Sequence, residues 1–232
     1  MKGLAGVANS IRESFFKRFW KKILVGVVSV IIIFSVFVLV QPQTYLPHQH
    51  IVISLPFAPE DGTGALLTPM GETIYHPKPQ VPNGHPGIDF AWNHSVSIIS
   101  SSDGTVIQVI NESESSGLAD VTVSSSVYEL RYKELASGSI GNNIKVGAKI
   151  KKGDFIGNAG PGWHMGINLE DTYGIHWELG SPSLIRDRFC PLTYFDADSL
   201  SRINKIWANH PLDDMKQNFP YICSGDYFNK TD

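Results

Sequence analysis

The sequence lacks charge over one long stretch near its amino end. Between Ile23 and Val40 there is no Asp, Glu, Lys or Arg, and only Gly26, Ser29 and Ser35 interrupt the apolar run. About eighteen helical residues rise about 27 Å, close to the hydrocarbon thickness of a bilayer. A core helix normally has a polar face, and this stretch has none. We therefore predict a single transmembrane helix over residues 23–40.

The flanking residues predict the orientation of that helix. Residues 1–22 contain six basic residues and one acidic residue, the bias that keeps a flank in the cytoplasm. The alternative is a cleavable signal peptide, but its apolar region is about 7–15 residues long and ends in a small-x-small site. Here the run ends in Leu39-Val40-Gln41. Either way, the later residues are predicted to be extracytoplasmic, either periplasmic or extracellular.

Positive charge is scarce in this exported part. Of 19 basic and 22 acidic residues in the chain, residues 23–232 hold 13 and 21, a net charge of −8. An excess of acidic groups argues against nucleic acid as a partner, because phosphate backbones are bound by Lys and Arg.

Cysteine is equally scarce. Cys190 and Cys223 are the two cysteines of the chain, and both fall in the exported part, where oxidising conditions favour pairing. We expect a disulfide bond between them. The alternative is two unpaired, buried thiols.

Helical periodicity is missing between Gly84 and Gly180, which argues against helices there. Short β-branched or alternating runs separated by turn residues instead indicate an antiparallel β domain. The predicted strands are Val96–Ser100, Thr105–Ile110, Val121–Val123, Tyr128–Tyr132 and His176–Leu179.

These patterns divide the chain into five parts. After the tail (1–22) and the apolar helix (23–40), a proline-containing linker (41–55) is expected to end in a short strand, His50–Leu55. The β domain (56–182) follows. A carboxy-terminal extension (183–232) contains both cysteines and a possible short helix, Ala197–Ala208, and we assign no chemistry to it.

Two short segments place metal-ligand residues at useful spacing. His85 and Asp89 can bind one ion if the chain bends at Pro86-Gly87, and His176 shares one strand face with Glu178. Two imidazoles and one carboxylate leave a fourth position open, as in catalytic zinc sites. The alternative for each histidine is a surface or hydrogen-bonded core residue.

Residues 84–179 resemble the lysostaphin-type zinc metallopeptidases of the duplicated hybrid motif family, which cleave peptide cross-links of bacterial peptidoglycan. The resemblance rests on an ordered series of motifs: His85-x-Gly-Ile-Asp89-Phe, Ser102–Val106, Tyr132–Leu135, Val146–Gly157 and Ile175–Leu179. It implies a mostly β, antiparallel, β-sandwich-like domain with one Zn²⁺ per chain. His85, Asp89 and His176 would be the metal ligands.

The chain departs from this family at two positions. The family has a histidine in its Tyr-x-His-Leu segment and another two residues before the last ligand, where this chain has Glu134 and Gly174. Those histidines are thought to activate the zinc-bound water and to stabilise the oxyanion. Glu134 is a candidate general base, and the alternative is a solvated charge beside Lys133. His164, in an insertion before the last ligand strand, is a second candidate, and the alternative is a loop histidine in water.

Other residues have two interpretations each. Glu178 either orients a ligand histidine from the second shell or is a charge at a strand edge. Trp163 and Trp177 either line a groove for glycan or peptide or pack in the core. His94, just after the first ligand motif, is either a third candidate for the missing histidines or a residue in an exposed turn, and the turn is the expected position.

The function expected from these observations is that of a membrane-anchored zinc metalloendopeptidase acting on peptidoglycan peptides. The alternative is an inactive pseudo-peptidase that binds wall peptide or a regulatory protein partner. A lipoyl or biotinyl carrier domain is disfavoured because no Met-Lys-Met tip is present. A purely structural ectodomain with fortuitous histidines is the remaining alternative.

Overall fold

The computed structural model describes residues 19–31, 51–73, 84–112, 116–162, 172–181, 188–211 and 213–224. The chain divides into two units, Met1–His48 and Gln49–Asp232. In the first unit, residues 19–31 form a helix, α1. Within the described ranges we find no helix that combines the length and the apolar composition needed to cross a bilayer. Residues 32–40 of the predicted span lie outside those ranges, and the span stays a prediction.

The second unit is built mainly of antiparallel strands, as the sequence predicts. The strands are β1 (Leu66–Thr68), β2 (Ile88–Trp92), β3 (Ser97–Ile99), β4 (Gly104–Asn111), β5 (Leu118–Ser125), β6 (Tyr128–Ala136), β7 (Lys149–Ile150), β8 (Phe155–Asn158), β9 (Gly160–Pro161), β10 (Tyr173–Gly180) and β11 (Arg188–Phe189). The large sheet has the order β1-β2-β10-β6-β5-β4-β7, with β9 and β11 also paired to β10, and β3 pairs with β8 in a small sheet.

The helical content of this unit lies mainly outside the β domain. In the described part of residues 84–180, the helical structure is one 3-10 turn, Ser137–Ser139. Two more 3-10 turns are Pro59–Gly62, near the start of the predicted β domain, and Pro191–Thr193, in the carboxy-terminal extension. This agrees with the missing helical periodicity.

The centre of the large sheet is buried on both faces. Every residue of β2 is buried, as are the last seven positions of β10. Phe90 and Trp92 of β2 pack edge-on against Phe57. Because side chains alternate along a strand, Asp89 lies on the face opposite to Phe90. The site described below is therefore built on the second face of two rigid, central strands.

The carboxy-terminal extension carries helices α2 (Ala197–Ala208) and α3 (Asp213–Asn218). The bounds of α2 coincide with the predicted helix. Asp196 caps its first turn by accepting a hydrogen bond from the backbone N–H of Ser199, which satisfies a donor that the helix leaves unpaired. Cys190 and Cys223 form a disulfide bond.

The expected strand His50–Leu55 does not form in its described part. Ile53 makes one isolated bridge with Phe195, through hydrogen bonds with Tyr194 and Asp196, whereas the N–H of Ser54 donates to the carbonyl of Ser101. Two successive residues thus bond to different segments. No ladder develops, although the local composition favours one, because the pairing partners are set by the tertiary fold.

Candidate metal centre

His85, Asp89 and His176 meet on the face of strands β2 and β10 that lies opposite to Phe90. His176 stands directly opposite Asp89 in the strand register, and His85 lies just before β2. His85 Nε2 and His176 Nδ1 are 3.0 Å apart, and they lie 3.0 Å and 2.7 Å from Asp89 Oδ1. All three residues are buried. Three ligand-type atoms thus point at one small volume.

The remaining ring nitrogen of His85 fixes its tautomer. Nδ1 lies 2.9 Å from the carbonyl oxygen of Pro69, which can only accept a hydrogen bond. Nδ1 must therefore carry the hydrogen and donate it. In the neutral ring, Nε2 then presents a lone pair to Asp89 and His176.

The second histidine is oriented in the same way by a carboxylate. His176 Nε2 lies 2.8 Å from Glu178 Oε1, an acceptor with 1% exposure of its side chain. Nε2 thus donates, and in the neutral ring Nδ1 presents its lone pair to the same volume. This is the arrangement that second-shell acceptors impose on metal-bound histidines.

This donor set fits a metal cation. Two imidazole lone pairs and one carboxylate oxygen face each other, and with both rings neutral no hydrogen is available among them to relieve their repulsion. Ligands of tetrahedral zinc lie about 3.3 Å apart, so small outward shifts of these side chains are enough to admit an ion. Two nitrogens and one oxygen are ligand types that zinc accepts.

The ionisation of the cluster is dominated by its internal hydrogen bonds. Burial lowers the pKa of His176, but hydrogen bonds with Asp89 and Glu178 outweigh burial and raise this pKa to about 9. Burial raises the pKa of Asp89, but the charges and hydrogen bonds of His85 and His176 bring it below its ordinary value. In the absence of a cation, a proton on His176 thus holds the cluster together. A metal ion competes with that proton for Nδ1.

Glu178 is surrounded by basic groups as well as by His176. Its carboxylate forms ion pairs with Arg131 (3.3 Å), Lys133 (3.4 Å) and Nε of Arg188. Burial raises the pKa of Glu178, but the bond to His176 and the charges of Arg188 and Lys133 lower it far more. Glu178 is therefore ionised, and its orientation is fixed from several strands. Its Oε1 accepts from His176 Nε2, which is the contact that the predicted orienting role requires.

Gly87 permits the close approach of the two ligand segments. A Cβ atom at this residue would collide with the carbonyl of Trp177 and with the side chains of Glu178 and His176. The glycine between His85 and Asp89 thus lets the bend pack directly on β10, a steric need that spacing alone does not reveal.

Comparison with known proteins assigns this arrangement to a family. The model of peptidase family M23 matches residues 83–180, a range that contains all three cluster residues. The chain carries an M23 peptidase domain. No curated protein sequence matches the chain significantly.

Solved structures with related folds include several peptidases. The matches include Csd3 from Helicobacter pylori (21% identity over 73% of this chain and 42% of that chain, TM-score 0.46). The antimicrobial peptidase lysostaphin from Staphylococcus simulans matches at 20% identity over 55% of this chain and 48% of that one, with a TM-score of 0.40. The catalytic domain of EnpA, a prophage-encoded M23 protein from Enterococcus faecalis, solved as a point mutant, matches at 25% identity over 60% of this chain and 97% of that one, with a TM-score of 0.43. The chain spans less than half the length of Csd3. Because these TM-scores are below 0.5, the family assignment rests on the residues that the family model matches.

Glu134 lies in an irregular part of the M23 domain. It has a left-handed backbone (φ 64°), rare for residues other than glycine. Strands β5 and β6 lose register here, since Ala119 pairs with Leu135 but Val121 pairs with Tyr132. Two residues of β6, Lys133 and Glu134, thus oppose Asp120 alone, which is a β-bulge. The Asp120 carboxylate accepts the N–H of Glu134 (3.0 Å) and stabilises the turn in the strand.

The bulge leaves the Glu134 carboxylate within the electrostatic field of the cluster. Burial raises the pKa of Glu134, and the charge of Asp89 raises it further, against the opposing effects of His176 and Lys133. Glu134 is not one of the three residues whose ligand atoms converge. The Glu134 carboxylate thus interacts electrostatically with the three-residue cluster but is not one of its members.

The other predicted residues fall in different surroundings. Gly174 is buried and pairs with Ala91 on one side and Gly160 on the other, so this position offers no side-chain donor. His94 is exposed and bonds to Asn93. Trp177 is fully buried and stacks on Phe195. His164 and Trp163 lie outside the described residues.

Four contributors to the site were missed by sequence reasoning. They are the Pro69 carbonyl, Arg131, Lys133 and Arg188 as partners of the histidines and of Glu178. A backbone carbonyl has no sequence signal. The alternation of Arg131 and Lys133 along β6 was the available sign that both share one face with His176 and Glu178.

Proposed function

We propose that this chain is a membrane-anchored, extracytoplasmic zinc metallopeptidase that hydrolyses amide bonds in peptidoglycan peptides, with residues 23–40 as the anchor. The M23 domain supports the peptidase class. The observation that carries the proposal is the convergence of two imidazole lone pairs and one carboxylate oxygen, with His85 oriented by the Pro69 carbonyl and His176 oriented by Glu178.

The residues of the cluster would hold one zinc ion. When bound, such an ion supplies a Lewis acid that polarises a substrate carbonyl and lowers the pKa of water toward about 7. His85 and His176 would bind it through Nε2 and Nδ1, and Asp89 through its carboxylate. Pro69 and Glu178 keep the two rings in the binding tautomer.

Glu134 is the proposed general base. Its side chain is partly buried, and its pKa is raised by burial and by Asp89, which brings a carboxylate closer to the range that suits proton transfer at neutral pH. Its carboxylate accepts a proton from the attacking water and then donates it to the leaving amine. The strained backbone at the bulge fits a functional position.

The local charge favours an anionic substrate even though the exported part is acidic. Arg131, Lys133 and Arg188 pair with Glu178 and Glu129. With Asp89 and Glu134 included, three cations face four carboxylates, and a bound Zn²⁺ would add two positive charges and make the local balance positive. Lys133 is the most exposed of the paired groups, at 37% of its side chain. A peptide with a free carboxylate is attracted to this face, and stem peptides of peptidoglycan belong to that class.

A specific observation supports the alternative of a pseudo-peptidase that binds wall peptide or regulates a partner enzyme. Gly174 stands where the family has its second non-ligand histidine, and no side chain can donate from that position to an oxyanion. Loss of one such donor costs about 10²–10³ in rate. Under this alternative the metal and the groove persist without turnover.

Zinc content and turnover distinguish the two functions. We expect about one zinc per chain in the purified full-length protein and loss of zinc in His176→Ala, with His94→Ala as the matched control at an exposed histidine. If Glu134 is the base, Glu134→Gln retains zinc but lowers the rate of peptidoglycan hydrolysis by about 10²–10⁴. New amino groups released from peptidoglycan measure that rate.

The outcomes separate clearly. Zinc without turnover in the unchanged protein supports the pseudo-peptidase, and absence of zinc contradicts the metal centre. Glu134→His, which restores the family residue at a backbone angle that histidine tolerates, should keep zinc in both cases. Activity in that variant alone would show that Glu134 disables the site.

A further inference from the structure

We propose that a disulfide-anchored clasp positions both histidines of the metal centre. The clasp has two arms joined by the Cys190–Cys223 disulfide bond. The first arm is residues 222–224, and the second is residues 188–190. The inference rests on the proposed metal centre and assigns a role to the carboxy-terminal extension, which lies outside the M23 domain.

The first arm of the clasp is hydrogen-bonded to the segment Pro69–Gly71. The N–H of Met70 donates to the carbonyl of Ile222 (2.8 Å), and the N–H of Ser224 donates to the carbonyl of Met70 (3.1 Å). The Oγ of Ser224 accepts the N–H of Glu72 (3.1 Å). Met70 and Cys223 are thus paired as in a short parallel bridge.

The segment Pro69–Gly71 in turn forms hydrogen bonds with His85. Gly71 and His85 exchange two backbone hydrogen bonds, of 2.8 Å and 2.5 Å. The Pro69 carbonyl accepts the hydrogen of His85 Nδ1. Gly71 has φ of 96°, and a Cβ atom there would collide with Ser224. The tautomer of His85 therefore depends on a segment that is fixed from its other side by residues 222–224.

The second arm runs from Cys190 to His176. Cys190 directly follows β11, which pairs with the end of β10 through Leu179–Phe189 and Gly180–Arg188. Arg188 forms an ion pair with Glu178 Oε2, and Glu178 Oε1 accepts from His176 Nε2. The residue that orients His176 is thus held by an arginine two positions from the disulfide.

The disulfide joins these two arms across 33 residues of sequence. Both cysteines are almost fully buried, so the bond lies inside the fold. A disulfide also stabilises a protein by constraining the unfolded chain. The proposed role of the clasp is different from this general stabilisation of the fold. If the clasp positions the histidines, breaking the disulfide lowers zinc affinity even in protein that remains folded.

The test compares zinc affinity in folded variants of the full-length chain. In Cys190→Ala/Cys223→Ala, we expect the zinc dissociation constant, measured by competition with a chromophoric chelator, to rise about tenfold or more, as with other losses of second-shell support. Ser224→Ala removes both hydrogen bonds of the Ser224 hydroxyl, the one accepted from the N–H of Glu72 and the one donated to the carbonyl of Met70, and we expect a rise of about threefold to tenfold. Long-range ¹H–¹⁵N NMR of His85 should show loss of the Nδ1-protonated tautomer.

Asp196→Ala is the matched control. It weakens α2 in the same extension but touches neither arm, so its zinc affinity should equal that of the unchanged protein. If the cysteine variant does not fold, Ser224→Ala decides the question. Unchanged affinity in folded variants overturns the clasp alone, whereas an unchanged protein that binds no zinc overturns the metal centre and the clasp together.

Discussion

Among single residues, Glu178 contacts both His176 and the basic side chains around it. It orients His176 and at the same time neutralises part of the charge of Arg131, Lys133 and Arg188. Its effects on metal affinity and on folding are therefore coupled. A neighbouring carboxylate, Glu129, pairs with Arg131 without contact to His176, which allows the two effects to be separated.

Glu178→Gln is predicted to weaken both zinc binding and folding. The neutral amide leaves buried cations uncompensated, for which we expect about 3 kcal/mol of destabilisation, and it orients His176 less strongly, for an expected 10-fold to 100-fold loss of zinc affinity. Urea unfolding and chelator competition measure the two effects. Glu129→Gln should lower stability but leave zinc affinity unchanged. Equal zinc affinity in both variants would contradict the orienting role.

Gly87→Ala is predicted to separate the two ligand segments. The added methyl group overlaps backbone and side-chain atoms of β10, so we expect a loss of about 1–3 kcal/mol in stability and greatly reduced zinc content. Gly138→Ala is the control, because a Cβ atom there meets nothing within 4 Å. Thermal unfolding and metal analysis of both variants provide the comparison, and normal zinc content in Gly87→Ala would refute the steric argument.

Among secondary-structure elements, α2 was predicted with its full bounds and the central strands in part. Helix α2 has local signals, an Asp cap and an apolar face, that do not depend on distant residues. Strand β6 was predicted only to Tyr132 and continues to Ala136. Its bulge at Glu134 was not predicted. Alternation of apolar residues predicts that a strand forms, but it does not show where one strand carries an extra residue relative to its partner.

Asp196→Ala is predicted to destabilise α2 by about 1 kcal/mol through loss of the helix cap. Burial raises the pKa of Asp196, but hydrogen bonds from Lys152 and Ser199 lower it below the ordinary value of 3.8. A lowered folded-state pKa contributes stability above the unfolded-state value, and that contribution disappears as pH falls through the folded-state pKa. The stability difference between Asp196→Ala and the unchanged protein should therefore shrink below about pH 3.8 in acid unfolding experiments. A difference that stays constant down to about pH 2 would contradict this assignment.

At the scale of the whole molecule, the three converging residues were predicted from their spacing together with the family resemblance, but the partners that orient them were not. His85, Asp89 and His176 stand out by residue type and spacing. Pro69 contributes a backbone atom, and Arg188 comes from an extension with no recognised motif, so only the tertiary fold brings them to the site. The same fold connects the proposed metal centre to the stability of the second unit, because His85 and His176 come from segments 91 residues apart.

Zinc is therefore predicted to stabilise the folded state as a whole. A ligand that binds only the folded protein adds about 2.7 kcal/mol when its free concentration is about 100 times its dissociation constant. For a domain of this size, we expect the melting temperature to rise by about 5–10 °C, and a chelator should reverse the change. His176→Ala should show no response, whereas His94→Ala should respond like the unchanged protein. An equal shift in His176→Ala would show that zinc binds elsewhere, since one of the three converging side chains is then missing.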